Sequence, residues 1–199
     1  MAFTPQPGEQ FTIRRKVLKL FGAAFHIYDG NNTIVGFCKQ KAFKLREDIR
    51  IYTNESMTTE LVTMKARAII DWSSTYDVTM PGGIVMGSLR RKGGTSTFIR
   101  DEWMIFDATG AQVGTVIENS GFLAIARRYI DYVSIIAPQS FKMARTDGSV
   151  VANLRQHFNP FVYRMGVSVS KDLKVDEPLD EMLVLAAACL IAAIEGRQG

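Results

Sequence analysis

Residues Met182–Ile194 read Met-Leu-Val-Leu-Ala-Ala-Ala-Cys-Leu-Ile-Ala-Ala-Ile, and a helix drawn through them has no polar face. A helix that is apolar all round cannot lie on a protein surface; protein or lipid must surround it. Crossing a bilayer takes about 17–25 predominantly apolar residues, and runs of about 10–14 are more often buried core helices. The run is short and stands alone in the chain, so enclosure by protein is the expectation. Its start is marked by Asp176 as cap, Pro178 at the first helical position, and Asp180 and Glu181 in the first turn, where the helix dipole favours carboxylates. Gly196 and Arg197 read as the stop, which places the helix at about residues 178–195.

Such a helix needs a container, and the preceding sequence consists of strand signals. Alternating apolar residues lead into Asp or Gly turns and out into a second alternating run. Phe25-His26-Ile27-Tyr28-Asp29-Gly30 leads to Ile34-Val35-Gly36-Phe37, and Trp103-Met104-Ile105-Phe106-Asp107 leads through Gly110 to Val113-Gly114-Thr115-Val116. Phe141-Lys142-Met143-Ala144-Arg145 leads through Asp147-Gly148 to Val150–Leu154, and Tyr76–Met80 through Pro81-Gly82-Gly83 to Ile84–Gly87. Asp-Gly and Gly-Gly supply the positive torsions of tight hairpins. The pattern predicts about twelve antiparallel strands, too many for a flat sheet, which must curl, split or close. Closure removes aggregation-prone edges, but a barrel so wide cannot fill itself with its own side chains. A helix of about 18 residues, roughly 27 Å long, is a fitting plug. The expected fold is mainly β, a closed antiparallel barrel around a C-terminal helix. Residues 1–10 read as a flexible N-terminal segment and 11–199 as one domain. Leu183, Leu185, Leu190 and Ile191 are expected to be buried, so that Leu185→Asp would prevent folding.

Two cysteines, Cys38 and Cys189, and two histidines, His26 and His157, exclude disulfide scaffolds, multi-cysteine zinc sites and haem attachment. Basic residues outnumber acidic ones by 24 to 20, an excess too mild for a dedicated nucleic-acid binder. The opening Met1–Gly8 has no basic region followed by an apolar run, so it does not read as a secretory signal, and a reducing, cytoplasmic setting is expected.

The Asp-x-x-Gly hairpins, the opening Phe11-Thr12-Ile13-Arg14-Arg15-Lys16-Val17-Leu18, and Glu177-Pro178-Leu179-Asp180 before the apolar helix resemble the LURP-one-related and phospholipid-scramblase-like proteins of the tubby C-terminal-like superfamily. The resemblance runs from about Phe11 to Glu195. It implies a twelve-stranded barrel around a central hydrophobic helix. Tubby domains bind phosphoinositides and scramblases are associated with lipid movement, whereas plant LURP-one relatives have no settled biochemistry. The resemblance therefore implies a fold more firmly than a function.

No catalytic constellation emerges. Gly166-Val167-Ser168-Val169-Ser170 lacks the second glycine of a nucleophile elbow, and Gly87-Ser88-Leu89-Arg90-Arg91-Lys92-Gly93-Gly94 fits no phosphate-loop spacing. His26 and His157 read as ordinary strand or turn histidines, and both cysteines sit in apolar contexts where a thiol is inert. The expectation is a protein that is not an enzyme and takes no cofactor or metal. Residues 171–181 occupy the place where animal scramblases carry a proposed calcium segment. With two lysines, no glycine and no alternating carboxylates, they read as helix capping instead.

Positive residues gather at Arg14-Arg15-Lys16, at Lys39, Lys41, Lys44 and Arg46, and at Arg90-Arg91-Lys92. As solvated outer-face residues these need no ligand. If two clusters share one end or side, they suit an anionic phospholipid or phosphoinositide headgroup at a membrane surface. Arg14, Arg15, Lys16, Arg90, Arg91 and Lys92 are the candidate headgroup residues, with Arg90-Arg91-Lys92 expected to converge from a glycine turn. Two alternatives stand beside this one: a membrane-inserted scramblase, and a scaffold whose partner is another protein. No nucleic-acid partner is expected.

Overall fold

The computed structural model describes residues 7–16, 23–41, 47–68, 75–92, 102–119, 139–157, 159, 161–174 and 177–195. Twelve strands run as an antiparallel meander: β1 (Phe11–Arg15), β2 (Ala24–Asp29), β3 (Ile34–Gln40), β4 (Asp48–Tyr52), β5 (Glu60–Ala66) and β6 (Thr75–Met80), then β7 (Ile84–Arg91), β8 (Glu102–Asp107), β9 (Gln112–Glu118), β10 (Ser140–Arg145), β11 (Val150–Gln156) and β12 (Arg164–Val169). Each pairs with its neighbours in sequence, and β12 returns to pair with β1, opposing Phe11 to Val167 and Ile13 to Met165. The ring has no open edge, as the count of alternating segments predicts.

The turns explain the repeated aspartates. Asp29 Oδ1 accepts the backbone N–H groups of Asn31 and Thr33 at 2.9 and 2.8 Å, and Asp107 Oδ1 those of Thr109 and Ala111 at 2.9 and 3.0 Å. Asp147 Oδ1 accepts from Ser149 N at 2.8 Å. A short side-chain acceptor holds each chain reversal while a glycine such as Gly110 or Gly148 takes the positive φ.

Helix α1 (Glu181–Glu195) supplies the core. Every residue from Leu183 to Ala193 is buried, and large inward side chains from the wall close around it, among them Ile13, Phe25, Met64, Trp103, Phe141 and Met143. Five of those helix residues are alanines, so bulk on the wall meets smallness on the helix, and the lumen reaches the density a protein interior requires. The thiols of Cys38 on β3 and Cys189 on α1 meet inside. Hydrogen bonding to Cys38, then burial, pushes the Cys189 thiol well above its ordinary pKa.

The helix starts later than its sequence signals suggest. Asp180 is the cap: its Oδ1 accepts from Leu183 N at 2.7 Å, and its carbonyl oxygen accepts from Val184 N at 3.0 Å. Pro178 therefore precedes the cap, and Leu179 drops its side chain beside Gly114. Asp176, Gly196 and Arg197 lie outside the described residues. Asp180→Ala is expected to lower stability by about 1 kcal/mol, read from chemical denaturation, because it orphans a helix-terminal N–H.

Contact with the barrel begins before β1. Gln10 N donates to Val167 O at 2.9 Å, and Gln10 Oε1 accepts from Val169 N at 2.6 Å. Glu9 lies over Gly166, where a Cβ would come within 1.9 Å of its carboxylate oxygen. Gly166→Ala is expected to displace Glu9 and break its contact with His157, seen as changed His157 ring resonances in NMR at a fixed pH.

Candidate functional site

In an antiparallel meander all odd strands point the same way, so their C-terminal ends share one rim. The Arg14–Lys16 cluster ends β1, Lys39 and Lys41 end β3, and Arg90–Lys92 ends β7. Topology thus carries the described residues of all three basic clusters to a single rim. The tight β2–β3, β6–β7, β8–β9 and β10–β11 hairpins close the opposite one. Around the ring β1 and β7 are six strands apart in either direction, so those two triplets stand on facing walls.

Strand alternation divides each triplet. Arg14 opposes Arg164 and His26 on the outer face, Arg15 shares the inward register of Phe25, and Lys16 reaches the carboxylate of Glu55. Arg90 and Arg91 lie in β7 itself, not in a glycine turn. The Arg90 guanidinium sits outside over Phe106, 4.8 Å from the ring centroid, and Arg91 turns inward over Trp103 at 5.8 Å. Lys92 pairs with Glu102 at 2.9 Å, and Lys41 lies 3.6 Å from Asp48. Lys39 Nζ contacts the Met57 sulfur at 3.5 Å, and Lys44 and Arg46 lie outside the described residues. The three charges of Arg90–Lys92 therefore do not converge on one point. Arg14 and Arg90 remain outward with no acidic partner among the described residues.

Three polar groupings on the outer wall have no signal in the sequence. Arg50 donates to both Asp48 oxygens, at 2.8 and 3.2 Å, and to Glu60 at 2.6 Å. Burial raises the pKa of Asp48, but hydrogen bonds and charge from Arg50, helped by Lys41, outweigh it, and the carboxyl ends below its ordinary value. Its contribution to stability is complete above the unfolded-state pKa of about 4 and disappears as pH falls through the lower folded value. Asp48→Asn is expected to cost about 1–2 kcal/mol at pH 7, with the difference from the parent vanishing below that window in pH-dependent denaturation. The other two groupings are His26 Nε2 with Glu55 Oε2 at 3.0 Å, and His157 Nε2 with Glu9 Oε1 at 2.6 Å.

A cavity of about 630 Å³ opens at the hairpin rim between Gln112, Arg145, Asp147, Asp172 and Leu179. Glu177 in its wall is paired with Arg145, and Asp180 is spent on the helix cap. Among the described residues, no three His, Cys, Asp or Glu side chains are grouped to hold a metal ion. Nor, among them, is any helix long and apolar enough to cross a membrane.

A closed twelve-strand barrel around an apolar C-terminal helix is the architecture on which the comparison bears. Residues 34–192 match the model of the LURP-one-related family. The chain belongs to that family. No curated protein and no solved structure shows a significant match to it. The LURP-one-related match opens at β3 and closes within α1, so Lys39, Lys41, the Arg90–Lys92 cluster and Arg164 fall inside it. Arg14, Arg15 and Lys16 precede it.

Proposed function

We propose that this LURP-one-related barrel is a non-enzymatic module that sets its basic rim against anionic phospholipid headgroups at the cytoplasmic face of a membrane. The delivery of three basic clusters to one rim supports the reading. A basic residue near an anionic surface contributes about 1 kcal/mol. Lys16, Lys41 and Lys92 are partly neutralised by their own carboxylate partners, so Arg14 and Arg90 carry most of the attraction. The attachment is weak, reversible and screened by salt.

Co-sedimentation with vesicles tests this. The protein is expected to pellet with phosphatidylserine or phosphoinositide vesicles at low salt, and to stay in solution with neutral vesicles or at high salt. Combined Arg14→Glu and Arg90→Glu should abolish pelleting without changing the melting temperature by more than about 2 °C, since Arg90 is exposed, Arg14 is partly so, and neither has an acidic partner to lose among the described residues. Reversing all of Arg90–Lys92 is a poorer probe, because Arg91 covers the buried Trp103. Equal behaviour on neutral and anionic vesicles at low salt would overturn the proposal.

One observation favours a protein partner instead. The β6–β7 hairpin carries Met80, Ile84 and Val85 exposed, Ile84 at 62%, on the rim opposite the basic clusters. A purified partner lost by Ile84→Glu but kept by Arg90→Glu would establish that reading.

A further inference from the structure

We propose that Phe161, which projects from the basic rim between β11 and β12, inserts its ring into the interfacial layer of an anionic bilayer while the cations behind it engage the headgroups. The inference rests on the membrane reading above and adds to its electrostatic attraction one apolar anchor at a fixed place.

The β11–β12 connection belongs to the rim that carries the basic clusters, because β11, like β1, β3 and β7, ends there. Two backbone hydrogen bonds close it at its base: His157 N donates to Arg164 O and Arg15 N to Tyr163 O, both at 3.0 Å. Asn159 Oδ1 accepts from Phe161 N at 2.9 Å and from Val162 N at 3.0 Å, a turn that fixes the direction of the chain. Val162 is half-buried, and Tyr163 packs against the core with its ring edge-on to Phe25, 6.4 Å between centroids. The turn is thus tied to the barrel by the residues that follow, and Phe161 is left 87% exposed.

Singly exposed aliphatic residues such as Val35 are ordinary on a protein surface. Phe161 differs in degree and in surroundings. Among the described residues no other large apolar side chain is as exposed, Ile84 on the opposite rim coming next at 62%. The strands on either side of β12 carry Arg155, exposed on β11, and Arg14 on β1. Arg155 opposes Gly166 and Arg14 opposes Arg164, so both cations stand behind Phe161, which precedes these β12 residues on the way in from the rim. Glu9, the carboxylate that lies over Gly166, is engaged by His157. An aromatic ring outermost with guanidinium groups behind it matches the layering of a bilayer leaflet, whose phosphates lie outside its acyl chains. A protein partner would call for a contiguous apolar patch, and here a single ring stands among cations.

Co-sedimentation of the full chain with phosphatidylserine–phosphatidylcholine vesicles over a range of lipid concentration tests the anchor. At low salt Phe161→Ala is expected to raise the lipid concentration for half-maximal pelleting about tenfold, the effect of losing partial burial of one phenyl ring. It should melt with the parent, since a ring so exposed contributes little packing. Ile84→Ala, on the opposite rim, should leave pelleting unchanged. Phe161→Trp should bind as the parent does. Its introduced indole should be quenched by bromine atoms on the lipid acyl chains, beyond any quenching in the parent, whose own tryptophans are Trp72 and Trp103.

Equal pelleting of Phe161→Ala and the parent, with pelleting still lost in the combined Arg14→Glu and Arg90→Glu variant, would keep the membrane reading and refute the anchor. So would an unquenched indole in Phe161→Trp that pellets normally, or a loss of pelleting in Ile84→Ala as large as in Phe161→Ala. A purified protein partner lost by Phe161→Ala, with vesicle binding intact, would assign the ring to protein docking and refute the anchor as well. A parent that ignores anionic vesicles at low salt would overturn the membrane reading and the anchor together.

Discussion

Leu190→Asp is expected to leave the protein unfolded or insoluble. Leu190 is 0% exposed near the middle of α1, with barrel wall around it and no cation among the buried residues to pair a carboxylate. An unpaired charge in such surroundings costs several kcal/mol, and the loss of apolar burial adds about 2–3 kcal/mol. A domain has only about 5–15 kcal/mol in total. Leu185, the position that sequence pattern alone suggests for the same test, is 8% exposed and offers the new carboxylate a partial route to water, so its effect should be smaller. Soluble expression followed by thermal melting would show the ranking. An unchanged melting temperature for Leu190→Asp would mean that the helix is not enclosed.

Gly87→Ala is the second substitution with a large expected effect, and its cause lies in the wall. A Cβ at Gly87 would stand 2.1 Å from the backbone oxygen of Phe106 on β8. Backbone cannot swing aside as a side-chain tip can, so the β7–β8 pairing, which sets Gly87 opposite Asp107, must part locally. A loss of about 3 kcal/mol or more is expected in denaturant unfolding, comparable to overpacking a core. Gly82→Ala provides the contrast. That glycine has a positive φ of 81° but nothing near its Cβ position, so only the left-handed backbone is penalised, at about 1 kcal/mol. Equal effects at the two positions would contradict the described β7–β8 contact.

The barrel was legible because its signals are local. Alternation around Phe25-His26-Ile27, the aspartate that closes each hairpin, and the unbroken apolar run of α1 each act within a few residues. The helix start was misjudged by three residues for a local reason too. Asp176 and Asp180 are both plausible caps, and the burial of Leu179 beside Gly114 decides between them. The candidate site was less legible because it depends on register. That Arg14-Arg15-Lys16 breaks a strand alternation is visible in the sequence. That Arg14 faces Arg164 is not, since the pairing exists only when β1 closes onto β12 across some 150 residues of chain. The same holds for Glu9 with His157 and Glu55 with His26, whose partners are 148 and 29 residues apart. The sharing of one rim by three basic clusters follows from strand parity, and parity could have been counted from the hairpins.

The central claim is that α1 stays inside the barrel while the rim meets the membrane, and the two cysteines report on it directly. Cys38 lines the lumen and Cys189 lies on α1 against it, both fully buried. The measurement is the rate at which a charged thiol reagent labels each cysteine, quantified by peptide mass, with the native protein free and bound to anionic vesicles. Both thiols are expected to resist labelling in both states, and both to react fully in denaturant, because a charged reagent cannot reach a thiol buried in an apolar lumen. A helix that left the barrel for the bilayer would carry Cys189 into lipid and open Cys38 to water. Rapid labelling of Cys38 on vesicles, or of either thiol in the free native protein, would contradict the account.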